Sequence, residues 1–106
     1  MSHHDDGETG KLILDGALTL RTADDVLARL RDMSARHETL EIDCDAAEEV
    51  DLSFIQLILA ARTSAAMASR IVSLARPASG ALLDALRRGG LLAGADQGFW
   101  LQTGTM

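Results

Sequence analysis

The chain has no tyrosine, one proline, one cysteine, one tryptophan and two phenylalanines in 106 residues. A lone cysteine, Cys44, excludes an internal disulfide framework and suits a reducing compartment, so the expected location is cytoplasmic. With no tyrosine and a single lysine, Lys11, most bases and nucleophiles of enzyme chemistry are missing. The histidines are His3, His4 and His37. The first two stand in a Gly/Asp/Glu-rich leader read as a solvated tail, and His37 falls at a helix end, where a surface cation is favoured. No apolar run approaches the roughly 18 residues of a membrane-spanning helix. Residues 1–10 have neither a basic start nor an apolar stretch, so they are read as a flexible tail before a domain over residues 11–106. No Gly-x-Gly-x-x-Gly or phosphate-binding loop occurs, since Gly89, Gly90, Gly94 and Gly98 follow a helix instead of joining a strand to one.

What is present describes one domain. Hydrophobic residues make up 47% and charged residues 25%, and a chain this size buries about two thirds of its unfolded surface. Net charge is −6 and the sequence pI about 4.8. Counterion release from a nucleic-acid backbone therefore has no source, and no nucleic acid is expected as partner. The charge is uneven: fourteen carboxylates and five basic residues lie up to Asp51, two and five after it. Either the first half supplies an acidic docking face, or folding interleaves the two halves as solvated surface.

Periodicity gives an element order of β-β-α-β-α-β-α-β. Lys11 to Gly16 and Ala17 to Leu20 read as two short strands that pair, with Gly16 allowing a reversal or a bulge. Thr22 with Asp25 fits a capping box, and Val26, Leu27, Leu30 and Met33 recur at helical spacing up to Arg36. Thr39 to Asp45 alternates as a strand with Leu40, Ile42 and Cys44 inward, followed by an acidic loop over residues 46–50. Asp51 caps a Leu/Ala-rich helix, Ile71 to Ala75 is a strand, and Ser79 starts a helix that Gly89 and Gly90 terminate. Phe99, Trp100 and Leu101 read as a last short strand. Helix-linked strands imply an α/β fold, a mixed and mostly parallel sheet with helices mainly on one face.

Chemistry concentrates at the junction before the second helix. Asp43, Asp45, Glu48, Glu49 and Asp51 crowd there, a set that offers oxygen ligands to Mg²⁺. A phosphoacceptor receiver domain also has an aspartate after its third strand, but this chain has no acidic pair after its first strand and no lysine after Lys11. No metal or other cofactor is expected. Cys44 alternates into the core and reads as inert sulfur. Ser53 falls in the first turn of the helix that Asp51 caps, where the macrodipole stabilises a phosphate ester or where the hydroxyl makes only local bonds.

Taken together, Leu14 to Leu20, the strand Leu40 to Asp45, the segment Val50 to Leu59 and the late Leu86 to Leu91 make the chain resemble the STAS domain, from about Leu12 to Leu92. This is the fold of bacterial anti-sigma factor antagonists and of the cytoplasmic ends of sulfate transporters. In that family an aspartate at the helix start precedes a Ser or Thr that a partner kinase phosphorylates, then a small residue and Gly. Asp51 matches the aspartate, whereas Leu52 stands at the phosphoacceptor place, Ser53 one residue later and Phe54 at the glycine. The segment Phe54 to Arg62 is also similar to small stand-alone members associated with chemotaxis, and another stand-alone relative acts beside a lipid-transport ATPase. The resemblance implies a non-enzymatic signalling module. Its partner would be an anti-sigma factor, a serine-kinase-like ATPase or a chemotaxis component. It would bind through Asp45, Glu48, Glu49, Asp51, Ser53, Phe54 and Gln56, with Ser53 a possible phosphorylation site. The alternatives are an anion or nucleotide sensor and an accessory subunit of a lipid-transport ATPase.

Overall fold

The computed structural model describes residues 9–92 and 97–102. Strand β1 (Thr9–Ile13) takes in the last two residues of the expected leader, while residues 1–8 lie outside the described ones. In β1, β3 (Thr39–Asp43) and β5 (Ile71–Leu74) every second residue is buried. They pair in parallel in the order β1-β3-β5, which sets Leu12 beside Ile42 and Ile42 beside Leu74 on one face. The opposite face leaves Lys11, Ile13 and Ile71 exposed.

A second, two-stranded ribbon joins β2 (Gly16–Leu18) to β4 (Ala47–Val50), also in parallel. Two sequence readings change here: β1 and β2 do not pair with each other, and residues 47–50 form a strand instead of a loop. The reason lies in Gly16, whose φ of +68° coincides with a register shift between Gly16 and Ala17. It does not reverse the chain. The Leu14 amide donates to the Asp43 carbonyl at 2.9 Å and the Gly16 amide to the Ala46 carbonyl at 3.3 Å, so the β1–β2 segment runs beside β3–β4 throughout, as one kinked parallel ladder.

Helix α1 (Ala23–Arg36) buries Val26 and Leu30 and carries Asp24 and Asp25 in its first turn and Arg36 in its last, matching the helix dipole. The Thr22 hydroxyl does not cap it. That oxygen accepts from the Thr19 amide at 3.0 Å and sits 3.0 Å from the Ala17 carbonyl, locking a single 3-10 turn, Leu20–Thr22. Helix α2 (Leu52–Met67) buries Phe54, Ile55, Ile58 and Ala65. Helix α3 (Gly80–Arg88) buries Leu82, Ala85 and Leu86 and ends at Gly89, with Gly90 at φ +69° taking the chain out of the helix.

The segment expected as a last strand is a helix, α4 (Gln97–Leu101). One helical turn drops Trp100 wholly into the core, where its carbonyl accepts from the Ala78 amide at 2.8 Å. The Gln102 side-chain amide donates to the Leu74 carbonyl at 2.7 Å, so this turn closes the end of β5 without adding a strand. His37 also departs from expectation: it is half-buried against Gly10, and its Nδ1 has no hydrogen-bond partner. The architecture is therefore α/β, a parallel sheet with its helices on one face, in the order β-β-α-β-β-α-β-α-α among the described residues.

Candidate docking face at the start of the second helix

The site is organised by Asp51. Its backbone is extended (φ −120°, ψ 178°), as an N-cap requires, and its Oδ1 accepts from the Phe54 amide at 3.2 Å. The other oxygen, Oδ2, accepts from the Leu20 amide at 3.0 Å, and the Asp51 amide donates to the Leu18 carbonyl at 3.2 Å. One carboxylate thus latches the 3-10 turn onto the helix start. Each of its oxygens accepts one backbone bond, so Asp51 joins the 3-10 turn to the helix start.

The latch displays two leucines. Leu20 is 72% exposed and Leu52 is 52% exposed, one on each strand of chain that Asp51 holds together. Glu48 and Glu49 are exposed on β4 just before them, Gln56 is exposed one turn into α2, and Ser53 is half-buried in the first turn. These residues surround the helix start and make up the candidate face. Phe54 does not belong to it: the ring is 1% exposed and packs in the core. A helix turns about 100° per residue, so Leu52, Gln56 and Ala60 point outward while Phe54, Ile55 and Ile58 point inward. The placement of Phe54 on a contact surface is corrected accordingly.

Asp45 belongs to a different knot, at the carboxyl ends of β3 and β5. Arg76 pairs with Asp45 at 2.8 Å and with Asp43 at 3.6 Å, and the Ser79 hydroxyl donates to Asp45 at 3.2 Å. Asp43 Oδ1 in turn accepts from the Asp45 amide at 3.0 Å. Arg76 thus pairs with both carboxylates, and no cluster of three or more metal-ligating side chains occurs among the described residues. Burial, with Asp43 and Asp45 adding to it, pushes the Cys44 thiol up to about 12. It is protonated at neutral pH and no nucleophile. The recess beside it, lined by Asp45, Arg76 and Ser79, holds about 10 Å³, room for one water at most.

The helix start is thus carried on a parallel α/β scaffold. The family model described as "Mlab, STAS domain" matches residues 1–97, and the chain belongs to the STAS domain family. Domains of this family are regulatory modules that interact with other proteins and are generally not catalysts. No curated protein and no solved structure matches the chain. No helix among the described residues is long and apolar enough to cross a membrane.

Of the two exposed leucines, the sequence reading weighed Leu52 only as the residue at the phosphoacceptor place and did not weigh Leu20. Their signal was available in part: once Asp51 is taken as N-cap, a helical wheel separates Leu52 and Gln56 from Phe54, Ile55 and Ile58. Leu20 had no such signal, because only the Asp51 latch brings it to the helix.

Proposed function

We propose that the chain is a non-enzymatic cytoplasmic signalling module that docks a basic partner protein on the face formed by Leu20, Glu48, Glu49, Leu52, Ser53 and Gln56. The observation that carries this reading is the exposed leucine pair held by Asp51 beside two exposed glutamates. An apolar centre with a charged rim is the make-up of a protein–protein contact. The glutamates steer the encounter and the leucines hold the complex. Fitting partners are an anti-sigma factor, a kinase-like ATPase or a chemotaxis component. The alternative, an accessory subunit of a lipid-transport ATPase, uses the same face, so the identity of the co-purified ATPase separates the two. The anion or nucleotide sensor has less support, since carboxylates crowd the helix start where an anion would bind.

The test is co-purification of the tagged chain with identification of its partner, followed by association kinetics. Glu48→Lys with Glu49→Lys should slow association about tenfold at low salt and much less at high salt. Unchanged kinetics at both ionic strengths would remove this face from consideration.

Ser53 is the modifiable group on the face. A phosphate there adds a dianion beside the carboxylates of the helix start, and covering Leu52 would then require burying that charge. Ser53→Asp should release the partner while Ser53→Ala retains it. Equal binding by the two variants, or intact-mass spectra of the native protein that never show phosphate, would count against the switch.

A further inference from the structure

Between α1 and the carboxyl-terminal part of α2 lies a groove of about 610 Å³, within the size range of small-molecule sites. Its origin is the composition of α2. Where this helix passes α1 it offers Ala60, Ala61, Ala65 and Ala68, too small to fill the space beside Leu27 and Leu30.

The lining changes along the groove. Both helices bridge parallel strands and so run in the same direction. Leu27 and Leu57, from the earlier parts of their helices, mark one end; Ser34 and Arg70, from the carboxyl ends, mark the other, with Arg31 one turn before Ser34. Arg70 donates to the carbonyl oxygens of Ser34 and His37, which fixes its guanidinium across the ends of the two helices. The two charged residues lining the groove are both arginines and no carboxylate lines it, in a chain whose net charge is −6. An amphipathic helix divides its polarity across its axis. A groove that is apolar at one end and cationic at the other instead matches a head-to-tail anionic amphiphile.

We infer that this groove binds a single-chain fatty carboxylate, with the chain lying over Ala61 and Ala65 and the carboxylate at Arg31 and Arg70. From Leu57 to Met67 the helix rises about 15 Å, close to the length of an extended dodecanoate. The docking face occupies the opposite end of α2, so either site can fail in experiment while the other stands.

The test is a titration of the full chain with dodecanoate below its micellar concentration, followed by backbone amide chemical shifts. Saturable shifts are expected at Leu30, Ala61, Ser64 and Ala68. Shortening to decanoate should weaken binding about tenfold, the effect of two methylenes. Dodecyltrimethylammonium, with the same chain and the opposite charge, should not compete. Ala61→Trp, which fills the groove, should abolish binding. Arg31→Gln, an exposed substitution that leaves the core untouched, should weaken dodecanoate about five- to tenfold and leave dodecanol unaffected. The inference is overturned by shifts that do not saturate, by shifts confined to the open sheet face around Ile13 and Ile71, or by equal dodecanoate affinity in the parent and Arg31→Gln. A groove that responds to an acidic helical peptide and not to dodecanoate overturns it equally.

Discussion

Trp100→Ala should cost about 3–5 kcal/mol of stability, the range for emptying a buried large aromatic site. In a domain whose total is of order 5–15 kcal/mol, that is enough to leave a marginal fold. The side chain is fully buried, its carbonyl is bonded to the Ala78 amide, and its ring meets Phe99 edge-on at 4.8 Å between centroids. Arg62 in turn lies over the Phe99 ring at 4.6 Å, so α4 is fastened to α2 as well as to the segment before α3. Trp100→Phe should recover more than half of the loss, because it keeps most of the buried area. Urea unfolding followed by circular dichroism measures both variants. A loss below about 1 kcal/mol in the alanine variant would mean that α4 is not packed on the core.

Asp51→Ala removes two bonds at once. The helix loses its N-cap, about 1 kcal/mol, and the Leu20 amide loses a charge-assisted bond, about 1.5–3 kcal/mol at most and less where solvent reaches it. The expected total is about 2–3 kcal/mol. Asn at this position separates the two contributions. Its single oxygen can serve the Phe54 amide or the Leu20 amide, whereas the carboxylate accepts from both at 3.2 and 3.0 Å. Asp51→Asn should therefore regain the helix cap yet leave the 3-10 turn loose. The diagnostic is hydrogen exchange at the Leu20 amide: fast in both variants, slow in the parent. If Leu20 stays protected in Asp51→Ala, the latch is not what holds the two leucines together.

The elements that sequence disclosed are those with one clear period. Val26, Leu30 and Met33 announced α1, Leu40 and Ile42 announced β3, and Gly89 with Gly90 marked the end of α3. Strand β4 gave no such signal, because its Glu48 and Glu49 are both exposed and only Val50 is buried. A ribbon of two strands can keep most of its side chains in water, so alternation does not write it. Phe99, Trp100 and Leu101 were too few to distinguish period 2 from period 3.6, and β-prone aromatics tilted the reading toward strand. The pairing of β1 with β2 failed for another reason. Gly16 permits either a reversal or an offset, and only the amides of Leu14 and Gly16, bonded to the Asp43 and Ala46 carbonyls, decide between them. At the site, Asp51 was legible as a cap from its place before an apolar helix, but its second oxygen serves a residue 31 positions away, which no local pattern reports.

The wholly parallel pairing also governs how the chain reaches this state. A hairpin zips from its turn, yet here no two consecutive strands are partners. The registers Thr9 to Thr39 and Thr39 to Ile71 each require closure of a loop of about thirty residues before a single ladder bond forms. Such topologies fold slowly for their size. Helices α1 and α2 fill about half of those loops, and helices form from local contacts on a much shorter timescale. Each one draws in its loop and brings the strand ends nearer before the sheet exists, so the helical propensity written into Ala23–Arg36 and Leu52–Met67 sets the pace of assembly as well as covering the finished sheet.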